Sequence, residues 1–168
     1  MQAGILAPSI SPLIRCLIFR APNGRFFDLP AIINTARKKR ALGDIPAQIH
    51  FQDNPAATGT ADLLLASGLL QYLDTPFTDF IKALPEPPMH ILLNKVAMRD
   101  GDALVTLEQI SPNRVPYQIR NRQNFEAELT HSGYVIRDTW LIPELAHTIT
   151  THPWLGASES RGYLLERA

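Results

Sequence analysis

Small residues follow a short apolar run in the middle of the chain, where a buried strand is expected to end. The run Leu63–Ala66 breaks at Ser67 and Gly68. Short apolar runs bounded by turn residues are typical of strands buried on both faces. Open α/β sheets bind ligands just beyond the carboxyl ends of such strands. The pattern therefore predicts a ligand site beside Ser67 and Gly68, with a plain tight turn as the alternative.

Two aspartates occupy comparable positions earlier in the chain. Asp28 lies near the end of a predicted strand, Arg25–Leu29, and Asp53 follows a second predicted strand, Ala47–Phe51. Each also has a purely structural interpretation. Asp28 stands before a helix opened by Pro30, where a carboxylate satisfies free backbone amides. Asp53 belongs to an Asp-Asn-Pro sequence, which favours a turn. The residues alone leave both interpretations open.

Several polar residues follow the central apolar runs and are candidates for contact with a substrate. Asn94 and Lys95 interrupt the apolar run of a fourth strand. Lys95 can act as a base if desolvation lowers its pKa. Alternatively, it is a lysine at a strand end that reaches into solvent. Tyr72 packs over a ligand or covers the core. Arg120 and Arg122 suit a phosphate or carboxylate, and they are equally natural as surface charges near a helix start.

The elements that position these residues alternate between strands and helices. Such alternation favours a parallel sheet, and the last two strands, without a convincing helix between them, favour an antiparallel pair at its edge. The predicted helices are Ala31–Leu42, a helix opened by Pro76, and Asn121–Ser132. The remaining predicted strands are Asp62–Ala66, one within Met89–Met98, Ala103–Ile110, Tyr134–Ile142 and Gly162–Glu166. Leu13–Arg20 is a short helix or a strand.

Length and composition indicate an ordinary globular protein. The 168 residues predict one domain, 1–168, with an irregular segment over residues 1–12. Apolar residues make up 45% of the chain and charged residues 19%, and sixteen basic residues balance sixteen acidic ones. Because the chain has no net positive charge to attract nucleic acid or an anionic membrane, we expect neither as a partner. The cationic run Arg37–Arg40 is interpreted as a solvated helix face.

Other classes of site have little support in the sequence. The five histidines are scattered and Cys16 is alone, which argues against a metal site and excludes an internal disulfide. The serines near Ser158 do not form a nucleophile elbow. No apolar run is long enough to span a membrane, and the amino terminus lacks the charge order of a signal peptide. We therefore expect a cytoplasmic protein.

Six spaced segments carry a resemblance to a known family. The segments are Phe27–Ala31, Ala61–Leu73, Glu108–Pro112, Asn121-Arg122 with Phe125, Gly133-Tyr134 with Trp140, and Gly162–Arg167. Together they resemble bacterial class I S-adenosylmethionine-dependent methyltransferases with no assigned acceptor, found among genes for surface-polysaccharide and secondary metabolism. The resemblance covers the chain from about Arg25 to Arg167.

The resemblance implies a fold and a set of roles. The fold is a Rossmann-like methyltransferase sheet, mostly parallel, with a carboxyl-terminal antiparallel hairpin. Asp28 would accept the ribose hydroxyls of S-adenosylmethionine, Asp53 the adenine amino group, and Ser67 and Gly68 would line the methionine arm. The substrate would be a small molecule or a saccharide, and no catalytic base is assigned. Its expected contacts are Tyr72, Lys95, Gln109, Tyr117, Arg120 and Arg122.

The chain departs from this family at its amino terminus. The Gly-rich turn that approaches the cofactor is missing, because neither Gly4 nor Gly24 lies between a strand and a helix. In this alignment the chain is truncated just after that turn, Leu13–Arg20 is a remnant of the first helix, and the central strand is lacking. Two functions follow: a methyltransferase, provided residues 1–12 rebuild the turn, or a non-catalytic module that binds partners or forms a homo-oligomer.

Overall fold

The computed structural model describes residues 16–20, 23–28, 30–57, 59–110 and 112–168. Within these ranges the chain forms ten strands and three α-helices. The helices are α1 (Pro30–Ala41), α2 (Phe77–Lys82) and α3 (Arg122–His131). The strands are β1 (Cys16–Arg20), β2 (Asn23–Phe27), β3 (Ile49–Gln52), β4 (Leu63–Ser67), β5 (His90–Arg99), β6 (Leu104–Ile110), β7 (Asn113–Asn121), β8 (Tyr134–Leu141), β9 (His147–Thr148) and β10 (Ala157–Arg167).

One twisted sheet organises the part of the chain that the structure describes. Its strand order is β3-β2-β1-β4-β5-β10-β8. Strand β2 is parallel to β3, and β4 is parallel to β5. Strand β10 is antiparallel to both β5 and β8, which confirms the predicted antiparallel pair at the carboxyl-terminal edge. The fold is therefore α/β, as the sequence predicts, with a mixed sheet in which β1 and β10 run opposite to β2, β3, β4, β5 and β8.

Strand β1 corrects the prediction that residues 13–20 are a helical remnant and that the sheet lacks its central strand. Residues 16–20 are extended and lie between β2 and β4, in the centre of the sheet. β1 is antiparallel to both neighbours, with Cys16 opposite Phe27 on one side and Ala66 on the other. The reason is that a strand absent from the centre would leave the backbone groups of β2 and β4 unpaired. Residues 13–15 lie outside the described residues.

The helices cover the two faces of the sheet. Consecutive strand residues point to opposite faces, and Phe26 and Phe27 of β2 accordingly pack in different clusters. Phe26 joins Ile33 of α1, whereas Phe27 packs toward the cluster containing Phe80 of α2 and Phe125 of α3. The sheet is therefore enclosed between α1 on one face and α2 with α3 on the other.

The cationic run at the end of α1 is partly used to hold β3. Arg37 Nη2 donates to the carbonyl of Phe51 at 3.2 Å. Arg40 Nη1 donates to Ile49 O at 2.9 Å and its Nη2 to Ala47 O at 3.1 Å. Because these residues are three apart, they share a helix face. Arg40 is therefore not part of a solvated face, whereas Arg37 stays exposed although it also bonds to β3.

Strand β7 differs from the sequence prediction, whereas α2 begins directly after Pro76 as predicted. The sequence around Pro116 predicts no strand, yet residues 113–119 of β7 pair with β6. Only Arg120 and Asn121 of β7 pair with β5, so Pro116 removes no donor from a second ladder. The residue that caps α2 is Pro76, without a side-chain hydrogen bond. Asn121 caps α3 by accepting from Asn124 N at 2.7 Å.

Candidate active site

The carboxyl ends of β2 and β4 and the middle of β5 meet at one edge of the sheet. Asp28 follows β2, Ser67 ends β4, and Asn94 of β5 is paired with Ser67. The beginning of β1 lies between the first two, since Cys16 is aligned with Phe27 and Ala66. Asp28 and Ser67 are thus separated by two strand spacings, roughly 10 Å. We call this region the carboxyl edge.

The turn after β4 depends on the backbone of Gly68. Gly68 has φ +64°, in the left-handed region, and its N–H donates to Asn94 O at 2.9 Å. A Cβ at this position would lie 3.5 Å from Gln71 Nε2, which is ordinary contact. The backbone conformation therefore explains the glycine at this turn. The same turn places Gln71 and Asn94 on either side of Gly68.

Buried polar atoms near this turn lack hydrogen-bond partners. They are Gln71 Oε1, Asn94 Oδ1 and Arg120 Nε. Gln71 is 7% exposed, and Arg120 is tied to the same turn because its Nη2 donates to Leu70 O at 2.8 Å. Burial lowers the pKa of Arg120, and the charge of Glu128 opposes this shift. Because buried polar groups are normally satisfied, such unpaired atoms indicate a place for a polar ligand or water.

Tyr72 and Tyr117 form a wall beside the turn. Their rings meet edge to face with centroids 5.7 Å apart, and the Tyr72 hydroxyl donates to Glu108 Oε2. Burial, followed by the charge of Glu108, raises the pKa of Tyr117. The structure therefore brings together two of the sequence-predicted substrate residues, which come from the turn after β4 and from β7.

Asp53 follows β3 and lies beside α1. Its carboxylate is exposed, and Oδ2 is 3.9 Å from Arg37 Nη1. The ion pair is long and solvated, so its contribution to stability is small, about 1 kcal/mol or less. Asp53 lies two strands from β1, beyond Asp28, at the same end of the sheet.

Lys95 occupies a bulge in β5. It is exposed and has φ +58°, a conformation unusual for a residue with a side chain. The register between β5 and β10 shifts at this point, between Arg161 and Tyr163. Bulges frequently redirect a side chain beside a functional site. Here the bulge turns the ammonium group toward solvent, at the end of the segment paired with β4.

Two sequence-predicted substrate residues lie elsewhere. Gln109 is at the far end of the β6–β7 hairpin, where it donates to Asn113 O and accepts from Arg114 Nε, each at 3.1 Å. Arg122 begins α3 and binds Asp100, with Nη2 to Oδ1 at 2.6 Å. These contacts account for both side chains without a ligand.

A second concave region lies further along β5, and sequence reasoning did not find it. It is a groove of about 420 Å³ between the end of β5, the start of β10 and the chain that precedes β10. Its polar lining residues include Arg99, Asp100, Ser158 and Glu159. The sequence assigns Arg99–Asp102 to a turn, and nothing in that pattern indicates that the remote residues Ser158 and Glu159 lie opposite it.

Among the described residues, no group of three or more histidine, cysteine, aspartate or glutamate side chains is placed to hold a metal ion. None of the helices in the described ranges is long and apolar enough to cross a membrane.

The fold is shared with S-adenosylmethionine-dependent methyltransferases. One similar structure is the O-methyltransferase of a trans-AT PKS multienzyme from Brevibacillus brevis, in complex with S-adenosyl-L-homocysteine. It has a TM-score of 0.60 and 11% identity over 86% of this chain. This chain spans 58% of that protein's length. No family model matches the sequence, and no curated protein matches it.

Two further structures agree in fold. A SAM-dependent methyltransferase from Methanosarcina mazei has a TM-score of 0.58 and 9% identity, with 85% of this chain and 81% of that chain covered. The 1,6-didemethyltoxoflavin-N1-methyltransferase of Burkholderia thailandensis has a TM-score of 0.55 and 15% identity. The match covers 86% of this chain and 60% of that one, which is bound to 1,6-didemethyltoxoflavin and S-adenosylhomocysteine. The sheet is therefore a class I methyltransferase fold.

The carboxyl edge fits the chemistry of S-adenosylmethionine at its two flanks. The unpaired amide oxygens of Gln71 and Asn94 are acceptors that lack donors, and the methionine arm of the cofactor ends in an ammonium group with three donors. Asp28 supplies a half-buried carboxylate at the other flank. Between Asp28 and the turn after β4, the edge of the sheet is formed by the amino end of β1. If the central strand were parallel to its neighbours, its carboxyl end would lie there instead.

Proposed function

We propose that this chain is an S-adenosylmethionine-dependent methyltransferase-like protein that acts on a small-molecule or saccharide acceptor. The observation that supports the proposal most is the meeting of Asp28, Ser67 and the unpaired amide oxygens of Gln71 and Asn94 at one edge of a methyltransferase-type sheet. Ligands of open α/β sheets bind at this edge.

Each flank has a separate task in this proposal. The Asp28 carboxylate accepts hydrogen bonds from the two ribose hydroxyls, and the exposed Asp53 lies where it can accept from the adenine amino group. Ser67 and Gly68 allow close approach of the methionine arm, whose ammonium group donates to the oxygens of Gln71 and Asn94. When bound, S-adenosylmethionine supplies a methyl group activated by its sulfonium. The protein contributes mainly positioning.

The acceptor would lie between the turn after β4 and the hairpin of β6 and β7. Tyr72 and Tyr117 offer apolar ring faces there, and Arg120 offers an unpaired Nε–H for an oxygen of the acceptor. Lys95 is exposed at the bulge of β5, within the same edge. These residues bind and orient the acceptor in this proposal, and no residue is assigned as a general base.

The test is isothermal titration of the purified chain with S-adenosylhomocysteine. Asp28→Ala should weaken binding by at least about tenfold, because it removes charge-assisted hydrogen bonds. The matched control is Asp44→Ala, an exposed aspartate after α1 at the opposite end of that helix. Circular dichroism establishes that each variant is folded. Absence of binding at millimolar ligand, from a folded sample, would contradict the proposal.

The reversed direction of β1 favours a second candidate, a non-catalytic module. The family resemblance implies a strand that ends at the carboxyl edge and leads there into a Gly-rich turn. Strand β1 begins at this edge and runs away from it, so it cannot lead into such a turn. The β6–β7 hairpin also exposes Val105 and Leu107, at 64% and 62% of their surface, on a strand that pairs on one side alone within the described residues. This candidate predicts no cofactor binding and a dimer in analytical ultracentrifugation that Leu107→Asp dissociates.

A further inference from the structure

The groove beyond the carboxyl edge is built from three separate parts of the chain. Arg99 ends β5 and Asp100 follows it, Ala157–Glu159 begin β10, and Ala146 with Leu155 belong to the connection from β8 to β10. The groove has a volume of about 420 Å³, within the range of ligand pockets. None of these residues is used by the function proposed above.

Two carboxylates in and beside the groove are oriented by arginines. Arg122 reaches Asp100 Oδ1 with Nη2 at 2.6 Å and Glu159 Oε1 with Nε at 3.5 Å. Arg161 Nε donates to Glu159 Oε1 at 2.5 Å. Asp100 remains 73% exposed, so its carboxylate retains acceptor capacity for a ligand. The ion pairs therefore orient both carboxylates, and Asp100 keeps acceptor capacity for a ligand.

The connection that forms one wall is long but held in place. It runs from Ile142 to Gly156 and is fixed by the pairing of β9 with β10. Arg99 Nη2 also donates to Leu155 O at 2.6 Å, and Ser158 Oγ donates to His147 O at 3.2 Å. These contacts give the groove a wall of fixed position.

This connection carries an aromatic side chain in solvent next to the groove. Trp154 is 75% exposed and directly precedes Leu155, which lines the groove. Its ring contacts that of His152 edge to face, with centroids 4.9 Å apart. Tryptophan is enriched where an apolar surface must meet a partially polar partner. An exposed indole one residue from the groove lining, together with carboxylates in that lining, is a combination that suits a sugar: the indole packs on its C–H face, and the Asp100 carboxylate accepts from its hydroxyl groups.

We propose that the groove is a saccharide-binding subsite for an acceptor of several sugar units. The inference rests on the proposed function in one respect, namely that the bound saccharide is the acceptor. Five residue steps along β5 separate Asn94 at the carboxyl edge from Arg99 at the groove, which is roughly 16 Å of strand. A single sugar ring does not span that distance. The groove therefore holds the part of the chain distant from the methylated unit.

The test is isothermal titration of the full chain, without cofactor, with maltohexaose and with chitohexaose. At least one of them should bind, and Trp154→Ala and Asp100→Asn should each weaken its binding by about tenfold or more. Asp138→Asn, on the exposed face of β8 and outside the groove, is the matched control and should leave the affinity unchanged. Asp100→Asn loses only a solvated ion pair, so it is expected to fold.

The outcomes separate this inference from the proposed function. Absence of saturable binding of either hexasaccharide, or binding that neither Trp154→Ala nor Asp100→Asn weakens, overturns the saccharide subsite. Saccharide binding with the expected variant effects, but without S-adenosylhomocysteine binding, supports the subsite and contradicts methyl transfer. Binding of S-adenosylhomocysteine without saccharide binding supports the cofactor site of the proposed function and overturns the saccharide subsite.

Discussion

Cys16 lies directly opposite Ala66 in an antiparallel ladder, in the centre of a sheet whose flanking strands β2 and β4 run in the other direction. The ladder continues through Ile18, paired with Leu64 on one side and Arg25 on the other. Both neighbours of β1 therefore depend on it for the backbone hydrogen bonds of one edge, since β3 and β5 pair with the other edges. The strand that the sequence predicts to be absent links the two halves of the sheet.

The central position of β1 predicts that Ile18→Pro strongly destabilises the protein. Proline lacks the N–H that a central strand donates, and it leaves a buried carbonyl without its partner. We expect the free energy of unfolding to fall by about 3 kcal/mol or more. Urea denaturation followed by circular dichroism measures this change.

The matched control for this substitution is Ile18→Val, which keeps the N–H and the β-branched side chain. Its expected cost is at most about 1.5 kcal/mol. A proline variant as stable as the valine variant would show that residues 16–20 do not occupy the centre of the sheet.

Gly162 is required by the packing of Trp140 across β10 and β8. A Cβ at position 162 would lie 2.0 Å from Trp140 Cε2, well inside contact distance. Gly162→Ala should therefore lower the free energy of unfolding by about 1–3 kcal/mol. The control Gly101→Ala should have a smaller effect, because the nearest atoms belong to the flexible Arg99 guanidinium at 3.0 Å.

A double-mutant cycle identifies the cause of the Gly162 effect. In a Trp140→Ala background the added methyl group has room, and Gly162→Ala should cost at least about 1 kcal/mol less than in the natural chain. Equal costs in both backgrounds, measured by thermal or urea unfolding, would mean that the indole is not the obstacle.

The unpaired amide of Gln71 predicts opposite effects on stability and binding. Gln71→Met removes a buried oxygen without a partner and keeps the side-chain volume, so the free chain should be stabilised by about 1 kcal/mol. The same change should weaken S-adenosylhomocysteine binding, because it removes an acceptor for the ammonium group.

Gln118 provides the comparison for Gln71. Its Nε2 donates to Leu73 O, so Gln118→Met should destabilise the chain by about 1 kcal/mol. Urea unfolding measures the stability of both variants, and isothermal titration calorimetry measures their affinity for S-adenosylhomocysteine. If Gln71→Met were as destabilising as Gln118→Met, the amide of Gln71 would have a partner in the free protein.

Tyr134 predicts a loss of stability at high pH. Burial raises its pKa from 10.0 to about 12, and its hydroxyl donates to Pro88 O at 2.8 Å. Between these values the unfolded chain releases the phenolic proton while the folded chain retains it. The free energy of unfolding is therefore unaffected below pH 10 and decreases as the pH rises toward 12.

Tyr134→Phe tests the assignment of this alkaline decrease. The variant should lose about 1 kcal/mol near neutral pH, since the carbonyl of Pro88 loses its donor. It should also show a shallower decrease at high pH, while Tyr163, whose pKa burial also raises, still contributes. Urea unfolding across this pH range is the measurement, and an unchanged slope would exclude Tyr134 as a source.

Local patterns predicted most of the secondary structure and one edge of the site. The apolar run before Ser67 and the capping residue Asn121 depend on neighbours in sequence, which is why the sequence predicts β4 and α3 correctly. Tyr72 and Tyr117 are predicted as candidates individually, but their contact joins residues 45 positions apart and is visible only in the fold.

The sequence by itself determined the α/β class, the antiparallel carboxyl-terminal pair and the small and acidic residues at strand ends, because each follows from hydrophobic periodicity and turn chemistry. The tertiary structure decided the direction and place of β1, since a five-residue apolar strand carries no information about its partners. It also decided which polar groups remain unpaired at the carboxyl edge and which distant residues form the groove. Both depend on long-range packing, which local sequence patterns do not specify.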